Sequence, residues 1–447
     1  MAPWQHRIRQ AHAKGTSMSN LRDLLEDGGL IAAAGTVGIV CADKGARAEQ
    51  TGQNNTVAGG GSDLLPDLLN PGNPGAPLIP RVRWDRPPWN RWTYQRFSEM
   101  VPTASIWRGP GPVRPLPEAL QPLGGLVVNF ADGARTIDDH LRRNFTDGFL
   151  VLHRGRLVFE RYMNNFAPHK QHTLKSATKS FTGTLAGILA NKGLLDVRKP
   201  VTDYLPELNA TAYRGATVQH LLDMASGVYA EEELDTLGCN QGMNVASYQV
   251  EVPGWPRTFW ELVLSVDKAV RPHGASHEYR TIETTVVGFV LQRVSGMSMA
   301  DLISQEIWAP MGAEQDAYIT VDRAGTAAAG GGLCVTMRDC ARFGQLFVEG
   351  GARDGRQIIP RNWIEETLNG DGAPLPAGGL CEEAYHNFWR IDRGSMAHGG
   401  YGGQYLYVEP QAQFVAVKMS YFPDGSGPYS ENDRTAILAI RDALSKR

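Results

Sequence analysis

Cysteine is scarce in this chain. Cys41, Cys239, Cys334, Cys340 and Cys381 are the full set, an odd count with no C-x-x-C pair. A disulfide framework is therefore not expected, and free thiols in a reducing compartment are. Metal-ligand spacing is lacking as well. His169 and His172 stand three apart and His273 and His277 four apart, but the second pair spans His-Gly-Ala-Ser-His with no glutamate between. That is a poor helix and not the zinc-protease pattern, so a metal is not expected. No charge of one sign dominates: the net charge is −3 and the pI is near 6.4. Without a basic patch there is no electrostatic footprint for nucleic acid or for an anionic membrane. Long apolar runs are missing too. Leu30–Ala42 is too short to span a bilayer, and its approach is acidic (Asp23, Glu26, Asp27) rather than basic. A cytoplasmic protein with no membrane segment is the expectation, with secretion left open.

What remains is ordinary for a soluble globular protein: 42% hydrophobic and 20% charged residues, enough to bury a large core. The length suggests two or three domains, or one composite one. Residues 1–82 are rich in Gly, Asn, Ala and Pro and read as a loose N-terminal extension. Trp84, Trp89, Trp92 and Trp107 follow among prolines, a density that clamps a segment onto a core. A helix is expected from Ile137 to Asn144. Phe149–His153 and Arg156–Tyr162 read as a hairpin turning at Arg154-Gly155. Ser176–Lys192 reads as an amphipathic helix, with Phe181, Leu185, Ile188 and Leu189 on one stripe and Gly193 as its stop. The middle, 200–324, is helical with long loops. Helices follow Thr217, cover Glu283–Val294 and Met299–Trp308, run from the Thr336 cap to Val348, and lie between Pro360 and Leu368. Late strands at Gln404–Val408 and Phe414–Tyr421 precede a helix over Glu431–Leu444. The fold class expected is α/β of the α+β type: an antiparallel sheet flanked by helices, with an inserted, mostly helical domain. The sheet domain would comprise 83–199 with 325–447, and the insert 200–324.

Three stretches carry chemistry. Ser176-Ala177-Thr178-Lys179 places a serine and a lysine at i and i+3 on one helix face, where the amine can reach the hydroxyl. A serine is a weak nucleophile until a base takes its proton, and a lysine can be or support that base. On its own the pattern is more often a capping serine and a solvated lysine. Its place at a helix N-terminus adds free backbone amides that can face an oxyanion. Tyr279 stands just ahead of a helix, where a half-buried anchor is the ordinary reading. His398-Gly399-Gly400-Tyr401-Gly402-Gly403 precedes a strand, where glycines mark either a plain turn or close approach of a ligand.

Taken in order, these stretches resemble the penicillin-recognising serine hydrolases: class C β-lactamases, D,D-peptidases, esterases and 6-aminohexanoate-dimer (nylon oligomer) hydrolases. The resemblance covers about residues 84–445 and is nearest to the last group. Trp84–Trp92 with Glu99–Pro102, the Ser176-to-Tyr279 spacing, Thr217–Gly227 and Gly331–Phe343 also resemble family passages.

The resemblance implies that Ser176 attacks a carbonyl and becomes acylated, that Lys179 and Tyr279 share proton transfer, and that the backbone amides of Ser176 and Tyr401 form the oxyanion hole. His398, Gly399, Gly400 and Thr281 would contact substrate. The partner implied is a small amide or ester; a homodimer is one option for the assembly. Three positions depart from the pattern. Thr281 stands for the asparagine of Tyr-x-Asn and His398 for the lysine of Lys-Thr-Gly, which argues against potent β-lactamase action. Leu234 is the best match to a tyrosine that contacts the leaving amine, which argues against efficient cleavage of the linear amide dimer. Amidase and short-chain carboxylesterase are close rivals, and a penicillin-binding-like sensor that acylates without turnover is the alternative of another class. The acidic run Glu231-Glu232-Glu233 with Asp235 reads as a solvated face.

Overall fold

A computed structural model describes residues 78–230, 240–375, 384–392, 394–423 and 427–446. Most of the N-terminal extension, the acidic run, Leu234, Cys41, Cys239 and Cys381 lie outside these. Of the described residues the first to pack are Ile79 and Val82, which rest on a small aromatic cluster of Trp84, Tyr94, Phe97 and Tyr248. Trp84 is buried and donates its indole N–H to the Ser247 carbonyl, so it clamps this segment as expected, whereas Trp107 is largely exposed.

In chain order the elements that build the site are β1 (Thr103–Ile106), β2 (Thr146–His153), β3 (Arg156–Tyr162), β4 (His172–Thr173), α1 (Thr178–Asn191), α2 (Thr281–Ser295), β5 (Ala317–Thr320), β6 (Leu333–Val335), α3 (Met337–Val348), β7 (Ala384–His386), β8 (Trp389–Asp392), β9 (Ser395–Gly400), β10 (Gln404–Glu409), β11 (Phe414–Ser420) and α4 (Gly427–Ser445). Seven of the strands form one sheet in the order β7-β8-β9-β10-β11-β2-β3, antiparallel throughout. The early hairpin thus docks on the last strand, as the α+β reading requires. Arg154 and Gly155 both take positive φ at its turn, which suits a two-residue hairpin.

The sheet is covered on both faces, so β2 is buried from Thr146 to Leu152 and apolar on both faces over Phe149–Leu152. Leu150 and Leu152 point into the larger core with α1 and α3; Phe149 and Val151 point into a second core with α4 and the helix Ile137–Arg143. β1, β5, β6 and β4 make a four-stranded sheet in that order, which carries the chain into α1. The helical elements between Val201 and Met311 lie between the two halves of sheet sequence.

Three local expectations change. α1 is buried on all sides from Thr178 to Leu189 rather than amphipathic. It runs between the large sheet and the helical block, and small residues permit this: a Cβ at Gly183 would lie 2.2 Å from the Asn387 carbonyl. Its first turn is not α-helical either; Lys175–Ala177 is a 3₁₀ turn. The helix capped by Ser298 is α-helical only over Met299–Ile303 and widens to a π turn over Ser304–Trp308.

Candidate active site

Ser176 sits where β4 becomes α1. Leu174 N–H bonds to the Leu333 carbonyl on β6, and Lys175 then takes φ +47°, a left-handed turn that presents Ser176 at the mouth of α1. Lys179 is one turn on, its side chain fully buried. Its Nζ lies 3.1 Å from Ser176 Oγ, 3.3 Å from Thr281 Oγ1 and 2.7 Å from the Gly330 carbonyl. Three chain segments therefore meet at one amine: α1, the first residue of α2, and the small-residue passage before β6. The Tyr279 ring lies beside it, 4.9 Å from Nζ to the centroid. Tyr279 is half-buried and packs edge-on against Tyr385. Its contact with the lysine is through the ring face.

The edge of β9 closes the other side. A Cβ at Gly400 would fall 2.2 Å from the Leu174 carbonyl and 3.0 Å from Lys175 Cβ, so only glycine lets this strand approach the Ser176 turn so closely. No backbone carbonyl accepts the N–H of the next residue, Tyr401, among the described residues. Ser176, Tyr279, Thr281, Gly399, Gly400 and Tyr401 all line one cavity of ≈ 1320 Å³.

His398 is placed differently. Its side chain is fully buried and does not line the cavity. Nδ1 lies 2.8 Å from the Phe388 carbonyl, which can only accept, so Nδ1 carries the proton. Burial pushes the imidazole well below its ordinary pKa, and the charges of Arg390 and Lys179 add to this. A neutral ring buried against α1 cannot serve as the cationic substrate contact that a lysine there would provide. The reason is local: Gly399, Gly400 and Tyr401 line the cavity, whereas the His398 ring packs against Ser180 of α1 and the Phe388 carbonyl.

Sequence reasoning missed several cavity residues. Arg390 on β8 lines the wall beside Gly399, and its guanidinium makes no hydrogen bond or ion pair among the described residues. Asp85, Arg86 and Lys175 line it next to Tyr401. Tyr229 lines it too, half-exposed. None has a local signal, because each becomes relevant only through long-range packing. The Gly330 carbonyl had one, the run of three glycines.

Two buried titratable groups flank the site. Burial pushes the Glu283 carboxyl up to about 8, although the Ser226 hydroxyl and amide bond to it. His386 lies between Asp223 (2.7 Å) and Glu366 (2.6 Å). Burial lowers its pKa, but both carboxylates outweigh that and lift it to about 10. The thiol of Cys334 is pushed up to about 12 by burial, which makes it a poor nucleophile. Among the described residues no three His, Cys, Asp or Glu gather to hold a metal. Among them, too, no single helix is long and apolar enough to cross a membrane.

A family model described as Beta-lactamase matches residues 134–440. The chain belongs to the β-lactamase family. The 6-aminohexanoate-dimer hydrolase of Paenarthrobacter ureafaciens is 32% identical over 367 residues, covering 79% of this chain and 91% of that protein. Among solved structures, a Bacillus anthracis protein assigned by name to the 6-aminohexanoate-dimer hydrolases superposes with a TM-score of 0.74 at 28% identity, covering 82% of this chain and 97% of that one. A family VIII carboxylesterase shares the fold at a TM-score of 0.51 and 18% identity, over 68% of this chain and 95% of that one. This β-lactamase-family chain is thus a hydrolase related to 6-aminohexanoate-dimer hydrolase, on a fold that it shares with carboxylesterases.

Proposed function

We propose that this β-lactamase-family hydrolase cleaves small amides or carboxylic esters through an acyl-enzyme on Ser176, without a cofactor. The observation that carries the reading is the buried Lys179 amine, 3.1 Å behind the Oγ of Ser176, which lines a cavity together with Tyr279 and Tyr401. A neutral amine there would give two hydrogens to the Gly330 carbonyl and Thr281 Oγ1, leaving its lone pair for the serine proton. Ser176 Oγ then adds to the substrate carbonyl. The oxyanion forms between the amides of Ser176 and Tyr401. The proton passes by way of Lys179 and Tyr279 to the leaving group, which departs, and water releases the acyl group by the same path.

Arg390 supports a substrate that ends in a free carboxylate, because an unpaired guanidinium on a cavity wall is a ready partner for one. The linear 6-aminohexanoate dimer has such an end. The test is amine release from this dimer by wild type and Ser176→Ala, with 4-nitrophenyl acetate as the ester control and intact mass to detect acylated Ser176. Release by wild type alone supports an amidase using Ser176. Ester cleavage alone, again by wild type alone, favours a carboxylesterase. A burst of one equivalent without turnover on either substrate would favour the acylating sensor. Equal activity in Ser176→Ala would refute the nucleophile.

A further inference from the structure

Asp85 is a buried carboxylate, 2% exposed, that the chemistry above does not use. It stands far from the Ser176 turn in sequence and touches both sides of the proposed oxyanion site. One oxygen accepts from Lys175 Nζ at 2.6 Å, across 90 residues of chain. The other accepts from the Tyr248 hydroxyl at 2.7 Å. Lys175 is the residue held at φ +47° immediately before Ser176, a conformation that residues with a Cβ populate sparsely. Its ammonium also lies over the rings of Tyr94 and Phe97, at 5.0 and 4.7 Å. On the other side, the Arg86 guanidinium lies 3.8 Å from Asp85 and stacks 4.2 Å from the centroid of the Tyr401 ring. Arg86 has few other partners: the Met243 sulfur takes one N–H, and the Tyr248 hydroxyl also interacts with it.

We infer that Asp85 is a positioning residue for the oxyanion site, holding the Ser176 turn through Lys175 and the Tyr401 turn through Arg86. The inference rests on the reading that the Ser176 and Tyr401 amides receive the oxyanion. Two amides aimed at one oxygen must keep their separation, and they come from segments that share no ladder hydrogen bonds. Asp85 bridges them. Burial alone would raise its carboxyl, but Lys175 and Arg86 outweigh this and hold it below the usual range. It therefore stays an anion between two cations. The Trp84–Trp92 segment becomes part of the catalytic apparatus rather than only a clamp.

Misplacing two donors weakens binding of the transition state more than binding of the substrate. The experiment compares wild type with Asp85→Asn, using 4-nitrophenyl acetate kinetics and inhibition by phenylboronic acid, which adds to a serine hydroxyl as a tetrahedral anion. For Asp85→Asn, kcat should fall on the order of 10–100-fold with KM changed by less than about threefold, and the boronate Ki should rise by a similar factor to the fall in kcat. Asp339→Asn is the control for simple loss of stability. Asp339 is equally buried, holds the Glu314 and Gln315 amides, and does not line the cavity. It should lower Tm and leave kcat and Ki alone.

Tyr248→Phe removes one hydrogen bond to Asp85 and keeps its charge, and it decides the matter if Asp85→Asn fails to fold. It should move kcat and Ki together by about threefold or more. Folded Asp85→Asn within about threefold of wild type in both readouts would overturn the inference, as would Asp339→Asn matching its losses. With Asp85→Asn unfolded, an unchanged Tyr248→Phe would do the same. Full turnover by Ser176→Ala would instead overturn the nucleophile and this inference together, so the two failures are distinguishable.

Discussion

Replacing Lys179 with methionine separates its chemical role from its structural one. The side chain is fully buried, and Nζ has three hydrogen-bond partners within 3.3 Å: Ser176 Oγ, Thr281 Oγ1 and the Gly330 carbonyl. Methionine has a similar length and volume, so no large cavity opens. Two effects on stability then oppose each other. The Gly330 carbonyl loses its lysine donor, which costs about 1–3 kcal/mol. The desolvation of a buried polar amine is relieved, which is worth a comparable amount, about 1–3 kcal/mol. The net change should lie within about 2 kcal/mol of zero by urea denaturation.

Catalysis has no such offset. A positioned base contributes about 10²–10⁴-fold, or roughly 3–5 kcal/mol of barrier. Lys179→Met should therefore lose at least about 100-fold in kcat/KM for 4-nitrophenyl acetate while remaining folded. Acylation should slow, so the acylated species should not accumulate in intact mass spectra. A folded variant within about tenfold of wild type would refute the assignment of proton transfer to this amine.

Gly400→Ala should be costly, because the new Cβ meets the Leu174 carbonyl at 2.2 Å; overpacking there should cost about 1–3 kcal/mol in urea melts and lower kcat, with Gly399→Ala, where the nearest atom is 3.6 Å away, much milder. Tyr279→Phe should lose amide hydrolysis far more than ester hydrolysis, because a poor amine leaving group must be protonated and a nitrophenolate need not be; equal losses in the two assays would count against that division. His386 has a folded pKa of about 10 against an ordinary 6.5, so its bridge is fully present below about pH 6.5 and is lost as pH rises through 10. The stability gap between wild type and His386→Gln should therefore shrink by at least about 1 kcal/mol between pH 7 and pH 10.5, and a pH-independent gap would refute the bridged imidazolium.

Much of this molecule was legible where a signal is local. The β2–β3 hairpin followed from two β-rich runs around Arg154-Gly155, and the Thr336–Asp339 cap placed the start of α3. The i, i+3 spacing of Ser176 and Lys179 pointed to side chains that do meet, whereas the contact of Lys179 with Thr281 was not foreseen. Strands β7, β8 and β9 were not foreseen, because they are short and carry glycine, histidine and charge; Ser395–Gly400 reads as a turn until β10 pairs with it. The burial of His398 was equally hidden. A lysine at this place would be expected to face substrate, but here the Phe388 carbonyl and Ser180 hydroxyl lie beside Nδ1 and fix the ring between β9 and α1. Asp85 and Arg86 were read as part of an aromatic clamp because the partners that matter are 90 or more residues away.

The same contrast explains why a serine and a lysine three residues apart mean little alone. On an isolated helix the lysine would extend into water. Here α1 is walled in on every side, so the amine cannot leave. The first turn of α2 and the glycine run before β6 supply the other two acceptors, which orient Nζ towards Ser176. β9 reaches the Ser176 turn only because residue 400 has no Cβ. Each support comes from a different part of the chain and none is reactive by itself. A change in any one of them should therefore move the Ser176–Lys179 geometry and the Tyr401 amide together, and losses on combining such changes should be less than additive.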